Sequence, residues 1–151
     1  MSVLTYVVIA KPSDAREVTQ EFLSKKFVWL DYPGFDPYTV EALHSVLSGS
    51  RVSSKVTPPE KILPLLYQRD PLNGCWVYQI PDDWVKLFAQ MEDKKIPGLT
   101  KQMIQKSWLL KQSYDLKCLH VPSFEQHMYC LRDLGKRAVK EKTSLLLFVS
   151  L

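Results

Sequence analysis

Leu4-Thr5-Tyr6-Val7-Val8-Ile9-Ala10 and Ser144-Leu145-Leu146-Leu147-Phe148-Val149-Ser150-Leu151 decide how this 151-residue chain folds. Each contains an unbroken apolar run, Tyr6 to Ala10 and Leu145 to Val149. Both runs are too short for a typical helix, and the first is rich in β-branched and aromatic residues, so both read as strands. Segments that are apolar on every face need cover on two sides. The economical arrangement sets the two side by side in one sheet beneath amphipathic helices. Neither run approaches the roughly 18 residues needed to cross a bilayer. Lys11 and Pro12, directly after the first run, do not fit a secretory leader.

Working inward, Ser13 can cap a helix in which Val18, Phe22 and Leu23 or Phe27 recur at three- and four-residue steps. Trp29 to Phe35 breaks that pattern and reads as a loop, with Pro33-Gly34 as its turn. Asp36-Pro37 then places a side-chain acceptor at an N-cap and a proline at the first helical position. Val40, Leu43 and Leu47 follow as a stripe, and Gly49 stops the helix. Residues 50 to 60 read as a surface loop. Ile62 to Tyr67 reads as a short extended or turn-like segment, because Pro64 suits neither a helix interior nor a central strand.

Cys75 to Ile80 reads as a strand between Asn73-Gly74 and Pro81, and Trp84, Val85, Phe88 and Met91 mark a helix starting near Asp82. Ile96-Pro97-Gly98 reads as a break. After it, Thr100 is expected to cap a helix turning Met103, Ile104, Trp108 and Leu109 or Leu110 inward. Ser123 and Gln126 form a capping-box pattern ahead of Phe124, Met128, Leu131 and Ala138, which predicts a helix of about four turns. The sum is a single α+β domain spanning residues 1–151. Its small mixed sheet holds the N- and C-terminal strands and packs against about five helices.

Hydrophobic residues at 46% and charged residues at 24% place the chain among ordinary globular domains and away from disorder. Residues 94 to 142 hold nine Lys and two Arg against four acids, a net of +7, which leaves −3 for the rest. Such a field favours a charged partner, although lysines spread round a solvated helix would give the same count. Cys75, Cys118 and Cys130 are odd in number and lack paired spacing, which suits a reducing, cytoplasmic setting and small buried thiols rather than a disulfide framework.

No constellation stands out as chemistry. Cys118, His120, His127 and Cys130 have zinc-ligand side chains, but Cys118-x-His120 is too close for the usual knuckle. His44 can serve as a general base only with a partner from elsewhere in the fold, and otherwise reads as an ordinary, partly exposed histidine. Asp82 and Asp83 are explained by a helix start. With five glycines in all, neither a P-loop nor a dinucleotide fingerprint is present. Lys101, Lys106, Lys111 and Lys117 interleave with Trp108 and Tyr114, superficially like a nucleic-acid surface, but Trp108 falls on the apolar stripe and the net charge is modest. The expectation is therefore no cofactor, no metal, no membrane and no assigned catalytic residue, with nucleic acid and enzyme chemistry disfavoured against a protein partner.

The segment Trp29-Leu30-Asp31-Tyr32-Pro33-Gly34-Phe35 is unusual in placing several large rings in a turn-forming stretch. Two readings compete: the rings fold back as a lid over the core, or they anchor a partner. On the second reading Asp31, Tyr32, Phe35, Asp36 and Tyr38 bind a protein.

Three pieces of the chain resemble the YfbM-like family of uncharacterised small bacterial proteins. They are a Trp/Asp segment running into a helix that ends Leu-Ser-Gly (Trp29 to Gly49), an aromatic strand with a Pro-Asp helix (Tyr78 to Met91), and a helix closing near Ala138 before an apolar strand (Phe124 to Leu151). The start departs from the family, with no counterpart for Leu4 to Ala10. The resemblance implies an α+β fold in a bacterial cytosolic protein and brings no catalytic residue. Together these readings favour a non-enzymatic interaction domain of the immunity or antitoxin kind, with a protein partner such as a toxin. The alternatives are a small enzyme assembled from dispersed residues such as His44, Asp36, Cys75 and His120, and a weak nucleic-acid binder.

Overall fold

The computed structural model describes residues 3–53, 57–70, 74–106 and 121–151. The two decisive runs are strands β1 (Leu4–Ala10) and β5 (Ser144–Ser150), paired antiparallel along their whole length from Leu4 opposite Ser150 to Ala10 opposite Ser144. Val7, Val8 and Leu145 to Leu147 are 0% exposed, as unbroken apolar runs require.

The intervening elements are α1 (Ala15–Gln20), β2 (Val28–Asp31), α2 (Pro37–Ser48), α3 (Pro59–Ile62), β3 (Leu65–Gln68), β4 (Cys75–Ile80), α4 (Asp82–Ala89), α5 (Ile96–Lys106) and α6 (Val121–Lys140). The sheet runs β2-β1-β5-β4-β3. It is antiparallel at every pairing, where a mixed sheet was expected. Burial on both faces explains the difference. Layers on either side of an antiparallel sheet demand the same apolar strands that a parallel one does.

The two faces are covered unequally. Val7, Ile9, Tyr78, Ile80, Leu145, Leu147 and Val149 pack beneath α2, α4, α5 and α6 in the main core. Tyr6, Val8, Ala10, Val77, Leu146 and Phe148 look the other way, toward α1, Phe27 and Trp29. Phe22 joins this second layer, stacked on Phe148 at 4.9 Å and edge-on to Trp29 at 5.7 Å.

Several elements sit where sequence placed them. Asp36 caps α2, its side chain accepting from the Thr39 N–H at 2.8 Å, and Gly49 ends the helix at φ +75°. Others moved. The first helix stops at Gln20, so Phe22 and Leu23 lie beyond it, Leu23 at φ +57° and 52% exposed. Val28–Asp31, expected in a loop, pairs with β1. Pro64 leads into edge strand β3, its carbonyl accepting from the Gln79 N–H at 2.9 Å, and the register shifts between Leu65 and Tyr67.

In α5, Pro97 and Gly98 fall inside the first turn. Thr100 is no cap: its hydroxyl donates back to the Ile96 carbonyl at 3.0 Å. α6 begins at Val121, two residues before Ser123, and runs 20 residues. Trp108 to Leu110 lie outside the described residues.

Candidate functional site

Tyr32, Pro33, Gly34 and Phe35 form a tight turn closed by the Phe35 N–H on the Tyr32 carbonyl at 3.1 Å. Gly34 takes the φ of +78° that this turn requires. The turn drives both rings inward. Tyr32 and Phe35 are 0% exposed and stack on each other at 4.3 Å with planes 3° apart. Tyr32 also stacks on His127 at 5.1 Å and donates its hydroxyl to the Phe124 carbonyl at 3.4 Å. Burial pushes the Tyr32 phenol well above its ordinary range. The two rings proposed as partner anchors are therefore core residues. The lid reading describes them, because pairing of β2 with β1 aims the following turn beneath α6.

The remaining three residues of that set keep access to solvent. Asp31 is exposed at the end of β2, on the sheet face it shares with Tyr6. Asp36 and Tyr38 are half-buried at the start of α2. Burial raises the Asp36 carboxyl above its ordinary value, opposed by its bonds to the N–H and side chain of Thr39. The Tyr38 hydroxyl donates to the Thr57 carbonyl at 2.7 Å, which fixes the ring. Burial and then the charges of Asp36, Glu60 and Glu41 push its phenol up. Tyr78 lies beside it, pushed up to about 12 by burial and then by Glu60 and Tyr38. Glu41 in turn accepts from the N–H and hydroxyl of Ser53 at 2.8 and 2.6 Å. The result is a tyrosine anchored at its hydroxyl and subject to the charge of three carboxylates, two of which, Glu41 and Glu60, were not signalled by any sequence motif.

The residues with catalytic potential are dispersed. His44 stacks on Trp84 at 3.9 Å with planes 8° apart, and burial lowers its pKa despite Asp83 and Glu41. Cys75 belongs to the opposite face of the sheet, where its thiol donates to the Ser150 hydroxyl at 3.6 Å. His44, Asp36 and Cys75 thus do not meet, and His120 lies outside the described residues. Lys106 Nζ donates to Ser45 Oγ at 3.1 Å, a pair with the outline of a Ser/Lys nucleophile. Ser45 is 0% exposed, however, and its hydroxyl is committed to the Ser50 carbonyl. Among the described residues no group of three His, Cys, Asp or Glu is placed to hold a metal; Cys118 lies outside them.

Lys94, Arg132 and Lys136 of the basic stretch border an open depression of about 500 Å³ whose other lining residues are 89–93. Arg132 there is ion-paired with Asp93 and Asp133 and lies over the Tyr129 ring at 5.6 Å. Its charge is spent internally. Lys101 and Lys106 are exposed on α5, whereas Lys111, Tyr114 and Lys117 lie outside the described residues. No helix among the described residues is long and apolar enough to cross a membrane.

No family model matches this chain, and no curated protein matches it. Among solved structures, the fold is similar to the crystal structure of YfbM from Escherichia coli, a protein of unknown function. The match covers 98% of this chain and 99% of that one, at 12% identity and a TM-score of 0.42. The similarity is low, and it transfers no functional residue.

Proposed function

We propose that the protein is a non-catalytic interaction domain of the immunity or antitoxin kind, which binds one protein partner and blocks it by occupying its surface. One observation carries the reading: Tyr38, half-buried and hydrogen-bonded to the Thr57 carbonyl, sits at the start of α2 within three residues of Asp36 and Glu41. A tyrosine already held in one rotamer loses little conformational freedom on binding and presents a broad amphipathic ring. The surrounding acids select a cationic counterpart and speed encounter with it. Asp36 and Tyr38 therefore stay in the binding set, joined by Glu41 and Glu60. Tyr32 and Phe35 act only as the internal support of the turn. The dispersal of His44, Asp36 and Cys75 weighs against the enzyme alternative.

Affinity isolation from the native host at moderate salt tests the proposal. One stoichiometric protein is expected, and its capture should fall roughly tenfold or more with Tyr38→Ala, a loss above 1.4 kcal/mol. Glu60→Lys, at an exposed rim position, should mainly slow association and flatten its salt dependence. Isolation of no stoichiometric partner, or capture indifferent to both substitutions, removes the proposal.

A further inference from the structure

Past Gly49 the chain turns back along α2 and is tied to it at Ser50, Ser53 and Thr57. The Ser45 hydroxyl donates to the Ser50 carbonyl, Glu41 accepts from the N–H and hydroxyl of Ser53 at 2.8 and 2.6 Å, and the Tyr38 hydroxyl donates to the Thr57 carbonyl at 2.7 Å. Residues 38, 41 and 45 follow one another at steps of three and four, so these ties make a seam along one face of the helix. Its outer ties are made by hydroxyl groups. The middle one is made by a carboxylate, and a bond of that kind answers to any charge placed beside it.

His44 flanks the seam, three residues on from Glu41 and therefore its neighbour on the helix surface. Its half-buried ring lies flat on Trp84 of α4, at 3.9 Å with planes 8° apart. As a neutral imidazole it packs there as an aromatic plate. As an imidazolium it needs an anion, and the carboxylates whose charge it feels are Asp83, beside Trp84, and Glu41. Asp83 is exposed, so solvent and salt screen it. Glu41 is half-buried and stands N-terminal to the ring, the favourable order for an acid and a cation on a helix. The cation that α5 brings to the seam, Lys106, donates to Ser45 at 3.1 Å.

We infer that His44 is a pH switch for this seam: a proton taken up from solvent draws the Glu41 carboxylate off Ser53 and onto the imidazolium, and the segment carrying Thr57 loosens from α2. Burial holds the His44 pKa below 6.5, so the seam is closed at neutral pH and opens as pH falls through that lower value. The consequence for binding rests on the proposed partner face. With Thr57 released, Tyr38 regains rotational freedom, and the partner is held less tightly in acid.

NMR of the free chain, from neutral pH down to the top of the ordinary carboxylate range, tests this. The Ser53 amide should lose its bonded shift with the same midpoint as the His44 ring, and its protection against exchange should fall roughly tenfold. His44→Gln should abolish that transition and leave Ser53 bonded across the same range. Glu41→Gln should uncouple Ser53 from His44 and lower the His44 midpoint, because a favourable charge is gone. Asp83→Asn should lower the midpoint too, yet leave Ser53 following it.

A Ser53 amide unmoved through the His44 transition overturns the inference. So does a Ser53 transition at that midpoint which persists in His44→Gln, or one that Asp83→Asn abolishes and Glu41→Gln keeps. Every one of these outcomes is read without a partner, so failure to isolate one removes the proposed function and leaves the switch standing.

Discussion

Asp36 closes the open end of α2 with its carboxylate, and burial at that position disfavours the charge that makes it a good cap. Its raised pKa means that the native state holds the proton more tightly than the unfolded chain. The stability this contributes is full below the ordinary value of 3.8 and is lost as pH rises through the higher native value. Asp36→Asn keeps the cap, and the difference between its stability and that of wild type should vary across that acid window. Asp36→Ala removes the cap and should cost about 1 kcal/mol at neutral pH in urea unfolding. His44 works in the opposite sense. Its pKa is lowered, so its contribution is present above the unfolded value of 6.5 and is lost as pH falls through the native one. An NMR titration should place the His44 midpoint below 6.5, and Trp84→Leu should move it back up. The cap was legible in sequence because Asp36 and Thr39 are three residues apart. The stacking was not, because His44 and Trp84 come from different helices.

Elements follow the same division. α2 is punctuated by its own residues, and Gly49→Ala should cost about 1 kcal/mol through the left-handed φ alone, since nothing lies within 4 Å of the new Cβ. α4 and α6 approach each other at Gly135, where a Cβ would stand 3.4 Å from the Val85 carbonyl oxygen and the Ala89 nitrogen. Gly135→Leu should therefore destabilise by about 2 kcal/mol, measurable as a lower urea midpoint. Glycine in the middle of a helix reads as a weakness until the neighbouring helix is in view. β2 escaped notice for a related reason. Val28-Trp29-Leu30-Asp31 is too short to show alternation and runs straight into a Pro-Gly turn. Only hydrogen bonding to β1 makes it a strand. α1 was read too long because Phe22 continues the helical spacing of Val18, whereas its ring is held by Phe148 and Trp29 across the sheet.

At the scale of the molecule, β5 stands at the centre of the sheet, between β1 and β4. Its amides should exchange with solvent only through global unfolding, while those of residues 21–27 exchange by local opening. Leu147→Ala, at a fully buried position, should cost about 3 kcal/mol and speed β5 exchange by the full loss in stability. The sequence by itself determined the apolar strands at both ends, the caps and stops of α2, the start of α4 and the α+β class. Each of those rests on preferences of residues within a few positions of one another: backbone φ, side-chain capping, the period of apolar positions. Tertiary structure alone decided the order and direction of the strands, the inward turn of Tyr32 and Phe35, the Thr57 carbonyl that receives the Tyr38 hydroxyl and the edge position of β2. These depend on contacts between segments far apart in the chain, and they are fixed by which packing buries the most apolar surface while leaving no backbone group unpaired inside.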